Sequence, residues 1–405
     1  MGVQVPPPVH NNKGSKTSSL CCYIPSEMGK GKIAFITSAH SPYDDRIYYH
    51  LADTLSSEYE VMIISSMEEI VINDRISIQS FDGNSLSKKE KVHSFVKYLK
   101  SFNPTIIIAA EPLPVIAAHQ YKTSNNKHVR ILYDVTEWYP SNRNIEYERG
   151  VNKIFVFVKM LLLNWYASFR CDGFIFGEYY KSLPYRVMFP FKKWKIISYY
   201  VDLKYIAYKE KITINNTLCL CYSGRISAEK GIDNFIAVVG VIKKLKPELK
   251  IKLKIIGWFY NKQDQNRYNE QLKRLEGVEI EFLGRKDFKD LSLSLQEADI
   301  FFDLREPTFE NDYSLPIKLF YYAACGRPVM YSDIKAIRKS VSDINQFGFL
   351  VTPSDAEKIA RLVIDYVSKP MLYKQHCLAA RKLAEQKYNW QAIDTHLAPF
   401  VNSFH

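Results

Sequence analysis

The sequence is poor in the features that most often assign a protein directly. Its seven cysteines are an odd number. Neither Cys21-Cys22 nor Cys219-Leu220-Cys221 has disulfide-framework or metal-ligand spacing. This argues against a disulfide-stapled secreted scaffold and a structural zinc site, and fits free thiols in a reducing cytoplasm. A spanning helix needs about twenty apolar residues. Residues 154–163 (IFVFVKMLLL) are interrupted by Lys159 and end too soon, so they read as either a buried core helix or an interfacial one. Residues 1–30 lack the apolar core of a secretory signal, and Pro6 spoils a myristoylation pattern; they are expected to form a flexible tail. There is no internal repeat, coiled coil or low-complexity array. No Asp-x-Asp stands in a loop where a divalent ion is expected, and no Ser/His/Asp or Cys/His hydrolase arrangement is legible.

What is present is a long chain of ordinary globular composition. At 405 residues it exceeds what one core needs, so two domains are expected. The net charge of +12 favours polyanions such as nucleic acid, anionic lipid or phosphorylated substrates. The cations form no recognisable nucleic-acid module, so no nucleic-acid partner is expected. Apolar strand signals at 32–37, 60–65, 105–110, 130–134, 173–176 and 194–198 alternate with helical stretches. Residues 181–195 mix Lys181, Arg186, Lys192, Lys193 and Lys195 with Tyr185, Phe189, Phe191 and Trp194. That pattern suits a lipid interface, with a solvated loop as the competing reading. Residues 201–216 turn polar and read as a linker. A second alternating series follows, with strands at 218–222, 251–256, 279–283, 299–303 and 328–331. The architecture expected is α/β: two doubly wound domains, 31–200 and 217–385, facing a central cleft. Residues 386–405 read as helical. Ligands of such sheets bind at the carboxyl ends of the strands.

Two stretches carry the chemistry. Residues 222–234 (YSGRISAEKGIDN) run from a strand through Ser223-Gly224-Arg225 to Lys230 and a helix opening at Gly231. Glycine allows close backbone approach, free helix-terminal N–H groups attract anions, and two cations add charge, a layout suited to a diphosphate. The competing reading is an ordinary strand-to-helix turn with two solvated cations. Residues 310–329 place Ser314 as a candidate cap and Pro316 near a helix start, with Gly326 ending the helix.

In order and spacing, YSGRISAEKGIDNF, IKLKIIG, EFLGR, ADIFFDL and SLPIKLFYYAACGRPVMYSD resemble the retaining GT-B glycosyltransferases, nearest the large family-four group. TSAHSPYDDRIYYHL, YDVTEWYP, ISYYVDL and the late KYNW extend the resemblance over nearly the whole chain past the tail. It implies two Rossmann-like domains, with a nucleotide-sugar donor on the C-terminal one and a glycan or lipid-linked acceptor on the N-terminal one. It also implies that the helix of residues 386–405 returns toward the first domain. Donor contacts then fall on Ser223, Gly224, Arg225, Lys230, Tyr313, Ser314, Leu315, Ile317 and Tyr321. The acceptor side falls on Asp44, Asp45, Arg46, Thr136 and Glu137. Arg225 and Lys230 take the role of the diphosphate cations, with Glu137 and His40 as further catalytic candidates. No metal or cofactor is implied. The expected setting is the cytoplasm, at the inner membrane surface, with anionic lipid as a partner.

Two departures stand out. Family members usually carry two glutamates eight residues apart, and the matching positions are Tyr313 and Tyr321. A tyrosine hydroxyl can still hydrogen-bond a sugar, more weakly than a carboxylate; Glu310 or Asp312 could replace the first glutamate if the loop is shifted. The acceptor-side loop often carries a histidine where this chain has Thr136. The alternatives are a non-catalytic sugar-nucleotide-binding scaffold and, more remotely, a hydrolysing epimerase or a nucleic-acid-binding protein.

Overall fold

The computed structural model describes residues 31–70, 75–141, 145, 148–286 and 288–405; the tail expected over residues 1–30 lies outside them. The first sheet has seven strands in the order β3-β2-β1-β4-β5-β6-β7. These are β1 Lys32–Thr37, β2 Glu60–Ser65, β3 Ser77–Ser80, β4 Ile106–Ala109, β5 Arg130–Val135, β6 Gly173–Phe176 and β7 Lys193–Ile196. The second has six strands in the order β10-β9-β8-β11-β12-β13. These are β8 Thr217–Ile226, β9 Lys250–Phe259, β10 Val278–Gly284, β11 Ile300–Asp303, β12 Val329–Ser332 and β13 Gly348–Val351. All of the pairings are parallel. The sequence pattern did not single out β3 or β13. Both are short edge strands, and three of the four residues of β3 are polar.

Central strands are apolar on both faces because helices cover both sides. Ala34 and Ile36 of β1 pack with Phe95 and Leu99 on one side of the first sheet. Ile33 and Phe35 pack on the other side with Leu51, Leu55, Trp390, Leu397 and Val401. The last of these come from the C-terminal segment, which lies against the first sheet. Val201 bridges Asn389, and the Trp390 indole N–H donates to Thr54 Oγ1 at 2.9 Å.

Asp44 caps a π-helix over Asp45–Ala52, accepting from the backbone N–H groups of Arg46 and Ile47. The apolar run at 154–163 lies inside a helix, Gly150–Arg170, of which only Asn164, Ala167 and Ser168 are buried. Ile154 is 66 % exposed, Leu162 59 % and Trp165 50 %, so it is not a core helix. Among the described residues no helix is long and apolar enough to cross a membrane. The basic-aromatic stretch at 181–195 is only partly a surface. Lys181 and Tyr185 are buried, and Lys192 Nζ donates to the carbonyls of Ser168, Phe169 and Cys171 at 2.6, 2.8 and 2.5 Å. It thereby closes the carboxyl end of the Gly150–Arg170 helix. Cys171, Cys219, Cys221, Cys325 and Cys377 are buried free thiols.

Candidate active site

In the first sheet the strand order reverses between β1 and β4, in the second between β8 and β11. A cleft of about 490 Å³ is lined by residues that follow these strands: His40 and Asp44 after β1, Glu229 and Lys230 after β8, and Arg305 after β11. Such reversals leave a crevice at the strands' carboxyl ends.

On the N-terminal wall, His40 lies between carboxylates. Its Nδ1 is 3.2 Å from Asp44 and its Nε2 3.5 Å from Glu111. Glu111 in turn accepts from Thr37 Oγ1 at 2.7 Å and from the Ser38 N–H at 2.8 Å. Burial opposes the imidazolium, but the hydrogen bond and charge of Asp44, with the charges of Glu111 and Glu137, raise its pKa to about 10. His40 is therefore a charged donor at neutral pH, not a base. Burial next to Asp44 pushes Asp45 up to about 7. Glu137 and Thr136 line the same wall, and the Thr136 carbonyl accepts from Lys181 Nζ at 2.8 Å.

On the C-terminal wall, Lys230 Nζ lies 2.9 Å from Glu229 and donates to Asn311 Oδ1 at 3.0 Å. Burial, then the neighbouring Arg305 charge, lowers its pKa to about 8. Arg305 is bidentate to Asp303 at 2.7 and 2.6 Å. Lys318 Nζ donates to the Ser223 carbonyl and lies 3.4 Å from Asp303; burial lowers its pKa. Gly224 has φ 115°, and a Cβ there would lie 2.7 Å from Lys318 Nζ. The glycine thus makes room for the lysine's approach inside the strand.

The expected site residues divide into two groups. Lys230, Ser314, Leu315 and Ile317 face His40, Asp44, Asp45, Thr136 and Glu137 across the cleft. Arg225 is not on its lining; it pairs with Glu229 at 2.7 Å, the carboxylate that also holds Lys230. Ser223 is buried against the Tyr322 hydroxyl at 2.6 Å. Arg46 reaches the cleft wall, but its guanidinium is buried on Asp134 at 2.7 and 2.7 Å and on the Ile197 carbonyl at 2.9 Å. Ser314 is not a helix cap: the helix Lys318–Ala324 begins after Ile317, and Ser314 Oγ accepts the Trp138 indole N–H at 3.1 Å. The Leu315 N–H donates to Glu178, a second tie between the walls.

Neither tyrosine lines the cleft. Tyr321 is buried in the core, its hydroxyl paired with Asp45. Tyr313 packs on Phe309 and Tyr180, its hydroxyl accepting from Lys335 Nζ at 2.8 Å. Sequence reasoning missed Arg305, Lys318, Glu111 and Glu178. The first polar residues after β4 and β11 were the available signal for Glu111 and Arg305. Lys318 stood inside a quoted motif without a role. Among the described residues no group of three or more His, Cys, Asp or Glu side chains is placed to hold a metal ion.

The chain's architecture is that of the GT-B class. Sucrose-phosphate synthase from Thermosynechococcus elongatus superposes with a TM-score of 0.72 at 15 % identity, over 92 % of this chain and 98 % of that one. Anabaena HepE, solved with UDP and glucose, gives 0.68 at 14 % identity, over 92 % of this chain and 100 % of that one. These likenesses show the fold. Residues 206–388 match the family model described as Glycosyl transferases group 1. Among curated proteins, a GDP-mannose-dependent monoacylated α-(1-6)-phosphatidylinositol monomannoside mannosyltransferase from Corynebacterium glutamicum is 25 % identical over 197 residues, 47 % of this chain and 48 % of that protein. A glycogen synthase from Mycobacterium tuberculosis is 25 % identical over 180 residues, 44 % of this chain and 40 % of that protein. The chain spans less than half the length of these curated relatives. The resemblance to group-1 glycosyltransferases holds, carried for the family by residues 206–388 and for the fold by 92 % of the chain.

Proposed function

We propose that the protein transfers a sugar, with retention of anomeric configuration, from a nucleotide-diphosphate sugar to a glycan or lipid-linked acceptor in surface-glycan synthesis. The observation that carries this reading is the cation group Lys230, Arg305 and Lys318 at the β8/β11 reversal, facing His40, Asp44 and Glu137 across one cleft. Lys230 binds the diphosphate and stabilises it as it leaves, with Arg225 joining once Glu229 is displaced; preorganised cations aimed at developing charge are worth several kcal/mol. Two or three side-chain cations supply this stabilisation without a metal or cofactor. As the sugar–phosphate bond breaks, the acceptor oxygen bonds the same face of the sugar, and its proton passes to the departing phosphate oxygen. The His40 imidazolium orients sugar or acceptor hydroxyls as a donor, with Glu137 beside it.

The working site is the cytoplasmic membrane surface, with the Gly150–Arg170 helix as the contact. The test is calorimetric titration against UDP-, GDP-, dTDP- and CMP-sugars. One of them is expected to bind, and Arg225→Ala/Lys230→Ala to abolish that binding; unchanged affinity in the double variant would overturn the site. Chelating agents are expected to leave transfer unchanged. A second reading, a sugar-nucleotide-binding scaffold, is favoured by the two tyrosines standing outside the cleft. Donor binding with neither transfer nor slow donor hydrolysis over a broad acceptor panel selects it.

A further inference from the structure

Next to the cleft runs a second, apolar groove of about 450 Å³. One wall is Leu183, Val187 and Met188 from the helix Tyr179–Met188; the other includes Trp138, Phe309 and Tyr313. Among the described residues no charged side chain lines it, so it suits an apolar chain better than a sugar or a phosphate. Trp138 belongs to both cavities. Its ring stands 5.4 Å from that of Phe309, while its indole N–H is on Ser314 at the cleft. Phe309 and Tyr313 of the groove are chain neighbours of Glu310 and Ser314 of the cleft.

The other end opens outward. Val187 is 80 % exposed and Phe191, just beyond, 100 %. The Asn164 amide donates to the Tyr185 hydroxyl at 2.9 Å, which fastens this helix to the apolar Gly150–Arg170 helix. Arg186, over the Trp194 ring at 4.1 Å, adds a cation on the same helix. The neighbouring Gly150–Arg170 helix carries Lys153, Lys159 and Arg170 and no acid. An anionic lipid is the complementary occupant; a second copy would bring like charges together.

We propose that this groove holds the apolar chain of a lipid-linked acceptor, passing Trp138 so that the headgroup enters the cleft. This rests on the transferase reading and specifies its acceptor: an acyl or isoprenoid chain carrying an anionic headgroup. The groove gives selectivity for a chain attached next to the headgroup, which the open helix face does not.

The probe is a dodecyl phosphate bearing a diazirine, used on the full chain below its micelle concentration and mapped by mass spectrometry. Labels are expected on residues 183–188 and 309–313. Competition by plain n-alkyl phosphates should strengthen from butyl to dodecyl, by up to about fourfold per methylene buried. Val187→Glu and Phe309→Glu, both at exposed positions, should cut groove labelling about tenfold or more while leaving donor binding unchanged. Labels confined to residues 150–170, chain-length-independent competition, or labelling unchanged in both variants would overturn the proposal. So would a concentration-dependent dimer dissolved by Val187→Glu, which makes a second copy the occupant. Groove labelling as expected with no nucleotide sugar bound keeps the groove and overturns the transferase reading instead.

Discussion

At the scale of single residues, the cleft is set by where charges are allowed to persist. Burial and Arg305 lower Lys230 to about pH 8, so half of its charge is absent at that pH without a ligand. A diphosphate favours the charged form, and binding near pH 8 is expected to draw in a proton. Donor affinity should hold below that pH and fall as it rises toward 9.5. Lys230→Gln should weaken binding by about ten- to a hundredfold and flatten the pH profile. Calorimetry in buffers of different ionisation enthalpy reads both, and a pH-independent wild-type affinity refutes the assignment. His40 gives a stability test. Its folded pKa of about 10 is raised from 6.5 by Asp44, Glu111 and Glu137 against the opposing effect of burial. The stabilisation is full below 6.5 and is lost as pH climbs through about 10. Wild-type Tm should fall over that range more steeply than that of His40→Gln. Lys230 and His40 were legible because each sits in a short motif just past a strand. Tyr313 and Tyr321 were misplaced for the same reason. Tyr321 follows the motif, but which face of its helix meets the core depends on the partner sheet. Tyr313 lies past the end of the helix Phe309–Asp312, with its ring on Phe309 and Tyr180.

At the scale of elements, the strand–turn–helix units around the cleft were readable from alternation and punctuation, and their ends were not. The strand expected to stop at Tyr222 runs on through Gly224 to Ile226, paired with Gly257, Trp258 and Phe259 of β9. A glycine and two polar residues look like a turn locally; a long parallel neighbour keeps them in the ladder. Arg46 shows a related limit. The motif TSAHSPYDDRIYYHL puts it beside Asp44 and Asp45 as an acceptor contact, yet it bonds Asp134 of β5, 88 residues away in sequence. That pair joins the π-helix to the sheet, and no local pattern announces it. Removing one member of a buried ion pair leaves the other charge uncompensated, which costs about 3–5 kcal/mol. Arg46→Met is therefore expected to lower Tm by about 4–6 °C, and Arg46→Met/Asp134→Leu to recover part of it. A single-variant Tm within about 1 °C of wild type, by calorimetry, would mean the pair holds nothing.

For the molecule as a whole, the two-sheet plan was legible from the repeated alternation. The disposition of residues 150–170 was not. Periodicity cannot say what an apolar helix packs against, and Lys159 fits a core edge as well as a lipid interface. The structure leaves the helix on the outside, with Phe155 64 %, Leu162 59 % and Phe169 57 % exposed. At 1.5 Å per residue it is about 30 Å long, and an apolar face of that length in water needs a covering. In the proposed membrane setting its cations favour an anionic surface, each worth about 1 kcal/mol near such a membrane and screened by salt. The protein is accordingly expected to sediment with vesicles containing anionic phospholipid, weakly with purely zwitterionic ones, and less as salt rises from 50 to ~500 mM. Phe155→Glu/Leu162→Glu should release it at low salt, with donor titration unchanged. Equal binding to both vesicle types would leave the apolar face without its electrostatic partner. Binding unaffected by the double variant would move the contact elsewhere on the first domain.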